Sequence, residues 1–251
     1  MVVIAVAGGT GTAGRAVVAE AIHRGLEVRA FSRHLPHPDS PARVPGARYL
    51  QADAATGDGL QAALEGADVV VETLDSKSGA SLKAMPSTTV NLLRAAQTAD
   101  VRRAVLLSIV NSDQSTFHYY RIQAERAERY QRSELQTVTV QATQFHELLA
   151  GIFSTGARVG LIPAFRGASF QPISTADVAR ALFEAATGDR TEDHAGVVVG
   201  GPDVLSMRQL AVDWKSALHR RGIIVPLPLP GSFGRFLREA VMWCPKPPWT
   251  G

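Results

Sequence analysis

A glycine-rich turn between an apolar strand and an amphipathic helix, near the start of the chain, constrains the fold more than any other feature. Residues 2–7 predict the strand, and residues 8–14 (GGTGTAG) predict the turn. Glycine has no Cβ, so the backbone can turn tightly against a pyrophosphate and the helix can pack closely. The helix N-terminus then presents free N–H groups and its positive dipole end to the phosphates. The turn therefore predicts a dinucleotide-binding βαβ unit, with an ordinary glycine-rich turn as the alternative. Its candidate cofactor-binding residues are Gly8, Thr10, Gly11, Thr12, Ala13 and Gly14.

The residue that follows the second predicted strand, Arg33, bears on which dinucleotide would bind. A carboxylate there would accept hydrogen bonds from a ribose 2′-hydroxyl and favour NAD(H), but residues 31–33 include no acidic side chain. An arginine can instead pair with a 2′-phosphate. The sequence therefore favours NADP(H) over NAD(H), unless Arg33 is simply a solvated surface residue.

The composition excludes several classes of protein. With 251 residues, 45% of them hydrophobic, the chain can form one large α/β domain, or one domain with a small appendage. The net charge is only +3 and no basic block occurs, so nucleic acid is not an expected partner. The single cysteine, Cys244, excludes an intramolecular disulfide and a multi-cysteine metal site. With no signal peptide or membrane-length apolar run, we expect a soluble, cytoplasmic protein with a small-molecule substrate. The sequence is compatible with a monomer and with a homo-oligomer.

Strand-like and helix-like segments alternate along the chain, which is typical of a doubly wound parallel sheet of the Rossmann type. Further strands are predicted at residues 26–31, 47–51, 67–74, 103–108, 136–142 and 195–199, and helices at 59–64, 88–98 and 119–132. We expect residues 1–150 to form the nucleotide-binding domain. We expect residues 151–251, where glycines mark loops and three prolines mark an extended stretch, to form a smaller, dependent portion that faces the substrate.

Five motifs together resemble one known group of proteins. They are residues 8–14 (GGTGTAG), 107–110 (LSIV), 119–125 (YYRIQAE), 142–147 (ATQFHE) and 171–179 (QPISTADVA). Because it contains these motifs, the chain resembles the NmrA-like group of atypical short-chain dehydrogenases/reductases over nearly its whole length. The resemblance implies a Rossmann-type domain that binds NAD(P) and a small C-terminal portion that shapes the substrate pocket.

The chain departs from the wider superfamily at the catalytic pair, a tyrosine followed one helical turn later by a lysine. The matching residues here are Tyr119 and Gln123. The lysine of that pair holds the nicotinamide ribose and lowers the pKa of the tyrosine. Gln123 can hydrogen-bond a ribose hydroxyl but carries no charge, so we expect the pKa of Tyr119 to lie near its ordinary value, about 10. Tyr119 remains a candidate catalytic acid, and Gln123 a candidate cofactor contact.

Further candidates lie where predicted strands end. Ser108 matches the position of the superfamily's catalytic serine, although such a hydroxyl can also cap local backbone. By resemblance, Asp53 contacts the adenine, with a turn-forming role as the alternative. Leu74 and Ser76 end the fourth strand, where the cofactor should cross.

Two further residues each have a functional and a structural interpretation. His146 follows the sixth strand near the expected nicotinamide and is a candidate acid or base, because an imidazole titrates near neutral pH; a purely structural role is the alternative. Asp177, three residues after Ser174, fits a capping arrangement at the start of a helix, and we assign it to structure.

Two functions are compatible with these features. One is an NADP(H)-dependent reductase of a small, apolar carbonyl, enone or quinone-like compound, for which positioning would replace a strong acid. The other is a redox sensor that binds NADP(H) without turnover and signals to a protein partner. The missing lysine favours the sensor, and the intact glycine turn is required by both.

Overall fold

One seven-stranded parallel sheet forms the centre of the protein in the computed structural model, which describes residues 2–188, 194–229, 231 and 234. Its strands are β1 (Val3–Ala7), β2 (Glu27–Ser32), β3 (Arg48–Gln51), β4 (Val69–Glu72), β5 (Arg103–Ile109), β6 (Gln136–Ala142) and β9 (Ala195–Val199). The strand order is β3-β2-β1-β4-β5-β6-β9, and every neighbouring pair is parallel. The order reverses between β1 and β4, the switch point at which ligands bind in doubly wound sheets. The predicted fold class is confirmed.

Helices cover both faces of this sheet. The helices that pack on it are α1 (Thr12–His23), α2 (Leu60–Leu64), α3 (Gly79–Thr98), α4 (His118–Gln131) and α6 (Thr175–Thr187). The first and the last of these bury their apolar stripes on one face, and the other three bury theirs on the opposite face. Strands buried on both faces are therefore apolar throughout, as in the fully buried run of β1.

A smaller cluster lies beyond the carboxyl ends of the strands. It consists of α5 (His146–Ala157), α7 (Met207–Ala217), the parallel pair β7 (Leu161–Phe165) and β11 (Ile223–Leu227), and the antiparallel pair β8 (Ser169–Phe170) and β10 (Leu205–Ser206). Its core contains Phe153, Ile162, Phe170 and Met207. The division at residue 150 stays a prediction; the chain returns to the main sheet after it, because α6 packs on α1 and β9 pairs with β6.

The boundaries of several elements differ from those predicted. The long helix α3 begins at Gly79 rather than near Thr88 and contains Pro86 within it. Helices α5 and α7 and strands β7, β8, β10 and β11 were not predicted. Of the three prolines expected to form an extended stretch, Pro226 lies in β11, whereas Pro230 lies outside the described residues. Within the described part of the chain, no helix is long and apolar enough to span a bilayer, and no cluster of side chains could hold a metal ion.

Candidate functional site

The glycine turn leaves the N-terminus of α1 open to a ligand. Gly8 has a φ of +78°, which favours glycine. A Cβ on Gly14 would lie 2.2 Å from the Gly8 carbonyl oxygen, so only glycine allows the helix to pack against the turn. The N-cap residue is Gly11, and no side chain caps the helix there. The N–H groups of the first turn therefore remain available to an anion, and the turn fits a pyrophosphate.

One continuous cavity of about 1030 Å³ extends from this turn along the carboxyl ends of the central strands. It lies at the switch point of the sheet, and α5 together with Phe165 and Phe170 lines its far end. Most of the candidate site residues line it: Gly8, Thr10, Gly11, Thr12, Ala13, Arg33, Asp53, Leu74, Ser76, Ser108, Tyr119 and Gln123.

Two candidate residues do not line the cavity. Gly14 is buried beneath the turn, where it contacts the backbone of Gly8 and Gly9 and not the cavity itself. His146 is exposed at the first position of α5, where its backbone N–H donates to the Ile173 carbonyl. That His146 acts as an acid or base near the nicotinamide stays a prediction, and the structure places its exposed side chain outside the cavity lining.

Arg33 and Asp53 lie at the end of the cavity formed by β2 and β3. The side chain of Arg33 is exposed, and its carbonyl accepts a hydrogen bond from Gln51 Nε2 over 3.0 Å. Asp53 Oδ1 accepts a hydrogen bond from the Ala55 N–H over 2.8 Å. Asp53 therefore stabilises its own turn and also lines the cavity, so its two predicted roles are compatible.

Tyr119 and Gln123 both point their donors at one carboxylate, that of Asp75, which follows β4. The Tyr119 hydroxyl donates to Asp75 Oδ1 over 3.1 Å, and Gln123 Nε2 donates to the same oxygen over 3.1 Å. Asp75 is exposed and lines the cavity. The place that a lysine holds in the superfamily is thus taken by an amide that contacts an acid.

A buried ion pair between Glu72 and Arg126 fixes the orientation of the Gln123 amide. Arg126 NH1 donates to Gln123 Oε1 over 2.6 Å, and Arg126 NH2 lies 2.8 Å from Glu72 Oε1. The Glu72 carboxylate also accepts hydrogen bonds from Thr89 and from the Tyr130 hydroxyl. Because Arg126 occupies the Gln123 oxygen, the amide must turn its N–H groups toward Asp75.

These surroundings change the acid–base character of Tyr119. Burial raises the pKa of its phenol well above the usual value, and the charge of Asp75 and the hydrogen bond to Asp75 raise it further. Burial also raises the pKa of the neighbouring Tyr120 to about 12. The expectation that the pKa of Tyr119 lies near its ordinary value was wrong, because the sequence showed neither the burial of the phenol nor Asp75 beside it.

Ser108, at the end of β5, contributes an unused polar group to the cavity. Its side chain is buried, and its hydroxyl has no hydrogen-bond partner among the described residues. The backbone-capping role considered for Ser108 is therefore not observed. An unpartnered buried hydroxyl costs free energy, so its position beside the cavity suits hydrogen bonding to a ligand.

From the end of β5 onward the cavity is lined mainly by apolar side chains. They are Ile109, Phe117, Phe145, Leu148, Leu149, Ile152, Phe165 and Phe170. From residue 107 onward, Arg126 is the one charged side chain among the described lining residues, and it pairs with Glu72. Two charged residues that follow β4, Asp75 and Lys77, also line the cavity. The apolar side chains of this end suit an apolar molecule.

The residues that sequence reasoning missed share one property, which is that tertiary contacts give them their role. Asp75 lies between two candidate residues, Leu74 and Ser76, so its position at a strand end was the available signal. Glu72 and Arg126 gave no such signal, because 54 positions separate them along the chain.

Comparison with known proteins agrees with this geometry. A family model described as NAD(P)H-binding matches residues 8–189. No curated protein matches the chain.

Several solved structures share the fold at low sequence identity. NADPH-dependent quinone oxidoreductase from Escherichia coli, solved with NADPH, is 18% identical with a TM-score of 0.75, covering 95% of this chain and 88% of its own. A nucleoside-diphosphate-sugar epimerase from Staphylococcus aureus is 19% identical with a TM-score of 0.73, covering 96% and 88%. UDP-glucose 4-epimerase from Thermus thermophilus, solved with NAD, is 16% identical with a TM-score of 0.73, covering 92% and 88%.

Proposed function

The chain belongs to the NAD(P)H-binding family of Rossmann-fold proteins. We therefore propose that it is an NADPH-dependent reductase of a small, uncharged carbonyl, enone or quinone-like compound. One observation carries the proposal: a single cavity joins the open glycine turn to an apolar chamber that contains an unpartnered serine hydroxyl. Its volume of about 1030 Å³ is at the upper end of the range of ligand pockets, as expected for a dinucleotide together with a substrate.

The residues divide the work between binding and positioning. The bound dinucleotide would supply the hydride. The glycine turn and α1 would hold its pyrophosphate, and Arg33 would pair with a 2′-phosphate. Ser108 would donate a hydrogen bond to the oxygen of the substrate, while the apolar side chains beyond β5 would orient the substrate and exclude water.

The state of Tyr119 favours one class of substrate. A phenol whose pKa is raised well above the usual value is a weak acid, and its hydrogen bond already goes to Asp75. Reduction of a quinone or an activated double bond requires less help from a strong acid than reduction of an isolated ketone. The site therefore favours the quinone-like and enone members of the proposed class.

The cofactor preference can be tested at Arg33. We expect Arg33→Ala to weaken NADPH binding about ten-fold or more, because a charge-assisted hydrogen bond to phosphate is lost, and to leave NADH binding almost unchanged. Calorimetric titration of both nucleotides measures the difference. Arg48→Ala is the matched control, since Arg48 is exposed on β3 and does not line the cavity. Equal effects on the two nucleotides would contradict the role of Arg33.

A panel of acceptors with NADPH tests the reaction, and Tyr119→Phe tests the acid. We expect NADPH oxidation by a quinone to fall less than about three-fold in Tyr119→Phe, whereas loss of a true general acid costs 10²-fold or more. Because the pKa of Tyr119 is raised, its phenol stays neutral from about pH 7 to about pH 10. The pH–rate profile of the wild-type protein should therefore show no step from tyrosine ionisation in this range. Ser108→Ala should lower the rate about ten-fold. If Tyr119→Phe lowers it by 10²-fold, the phenol is the acid after all.

A non-catalytic NADP(H) sensor is the second candidate. The observation that favours it is the engagement of the Tyr119 hydroxyl with Asp75, with Gln123 in the lysine position. A sensor would bind NADPH but would not oxidise it with any acceptor of the panel, and its affinities for NADPH and NADP⁺ would differ. Turnover with any member of the acceptor panel decides for the reductase.

A further inference from the structure

Asp75 presents a carboxylate oxygen that its surroundings leave unused. Both internal donors, the Tyr119 hydroxyl and Gln123 Nε2, go to Oδ1 at 3.1 Å. No described residue donates to Oδ2, although the side chain lines the cavity. A carboxylate has about four acceptor sites, so half of this group remains open to a ligand that carries hydroxyl donors.

The carboxylate is held in place by a chain of buried groups. Glu72 and Arg126 pair 2.8 Å apart with side chains 0% and 1% exposed. Arg126 then fixes the Gln123 amide through a 2.6 Å hydrogen bond, and that amide fixes Asp75. Arg126 and Gln123 are therefore positioning residues, and the orientation of Asp75 is set before any ligand arrives.

The location of Asp75 relative to the glycine turn indicates which ligand group it meets. The turn follows β1, with Arg33 and Asp53 on the β2–β3 side of it and Asp75 and Ser108 on the β4–β5 side. In the proposed function, the 2′-phosphate of the adenosine half lies at Arg33. The other half of the dinucleotide then extends past Asp75, and its ribose carries two adjacent hydroxyls.

We propose that Asp75 binds the ribose diol of the nicotinamide half of the cofactor through Oδ2. This inference rests on the proposed function. The carboxylate accepts from the ribose hydroxyls, so the chain holds this ribose with an acceptor and needs no lysine beside Tyr119. Asp75 is thus a cofactor-binding residue, and the amide of Gln123 acts on the ribose through it.

Calorimetry with two ligands tests the assignment. NADPH contains the nicotinamide ribose, whereas 2′,5′-ADP contains only the adenosine half. Asp75→Asn keeps one oxygen that can accept from Tyr119 and Gln123, but it replaces the open acceptor Oδ2 by an NH₂ donor. Asp75→Ala removes both carboxylate oxygens. We expect both variants to bind NADPH about ten-fold more weakly and 2′,5′-ADP within about two-fold of wild type.

The control and the other outcomes separate this inference from the proposed function. Asp113→Asn changes an exposed carboxylate outside the cavity and should bind both ligands like wild type. Unchanged NADPH affinity in both Asp75 variants, or equal loss for NADPH and 2′,5′-ADP, overturns the role of Asp75 and leaves the proposed function standing. Failure of the wild-type protein to bind either ligand overturns both.

Discussion

Replacing Arg126 by methionine is expected to reduce the free energy of unfolding by about 3–5 kcal/mol, because it leaves the Glu72 carboxylate buried without its cation. Glu72 is 0% exposed and Arg126 1% exposed as side chains, so the intact pair is shielded from bulk water. The guanidinium also donates to Thr89 and Gln123, which lose a donor at the same time. The free energy of unfolding of native proteins is about 5–15 kcal/mol, so the expected loss is a large part of the stability of the protein. Urea unfolding followed by circular dichroism measures it.

The same helix provides the control. Arg129 pairs with Glu125 one turn along α4, but these side chains are 45% and 43% exposed. Arg129→Met should therefore cost less than about 1 kcal/mol. The double variant Glu72→Leu/Arg126→Met should be more stable than Arg126→Met alone, because it no longer buries an unpaired charge. If Arg126→Met and Arg129→Met unfold at the same urea concentration, the buried pair does not stabilise the fold.

The parallel sheet could be predicted because its strands are apolar on both faces. The run Val69-Val70-Val71 is completely buried, and such a run has few alternatives to a central strand. Glu72 ends the same strand and is equally buried. Nothing local marks it as different from an exposed strand-end glutamate, because its partner comes from a distant helix.

The smaller cluster beyond the carboxyl ends of the strands could not be predicted, because its helices and strands depend on tertiary packing more than on a local sequence pattern. Pro163 lies in β7 and Pro226 in β11, whereas the sequence predicted an irregular region around the first and an unpaired extended stretch around the second. Each strand has only one neighbour in a two-stranded sheet, so a proline costs no ladder hydrogen bond on the free side. Similarly, α3 extends back through Pro86 because Leu82 and Met85 are buried there.

The candidate cofactor residues and the candidate catalytic residues depend on different kinds of information in the sequence. A glycine turn is a local backbone requirement, and its sequence spacing is enough to identify it. The pKa of Tyr119 depends on burial and on Asp75, and the fold brings Asp75, which follows β4, next to Tyr119 on α4. The resemblance identified the phenol as a candidate, but only the tertiary structure shows the burial and the carboxylate that raise its pKa.

The glycine turn gives the second large expected effect: Gly14→Ala should weaken NADPH binding about 10²-fold or more. The new Cβ would lie 2.2 Å from the Gly8 carbonyl oxygen and 2.8 Å from Gly9 Cα, and both obstacles are backbone that must shift. A shifted turn no longer directs its N–H groups at the pyrophosphate, and each lost hydrogen bond to a charged group is worth about 1.5–3 kcal/mol. The overpacking should also cost about 1–3 kcal/mol of stability.

Gly151→Ala separates the close approach at Gly14 from the general effect of adding a methyl group to a helix. Gly151 lies within α5, and a Cβ there meets nothing within 4 Å. This substitution should raise stability by about 0.5–1 kcal/mol, since alanine is the better helix former, and should leave NADPH affinity unchanged. Calorimetry and urea unfolding of both variants give the comparison. If Gly14→Ala binds NADPH like wild type, the turn is not the pyrophosphate site, because a turn that has shifted to admit the Cβ no longer directs its N–H groups at a pyrophosphate.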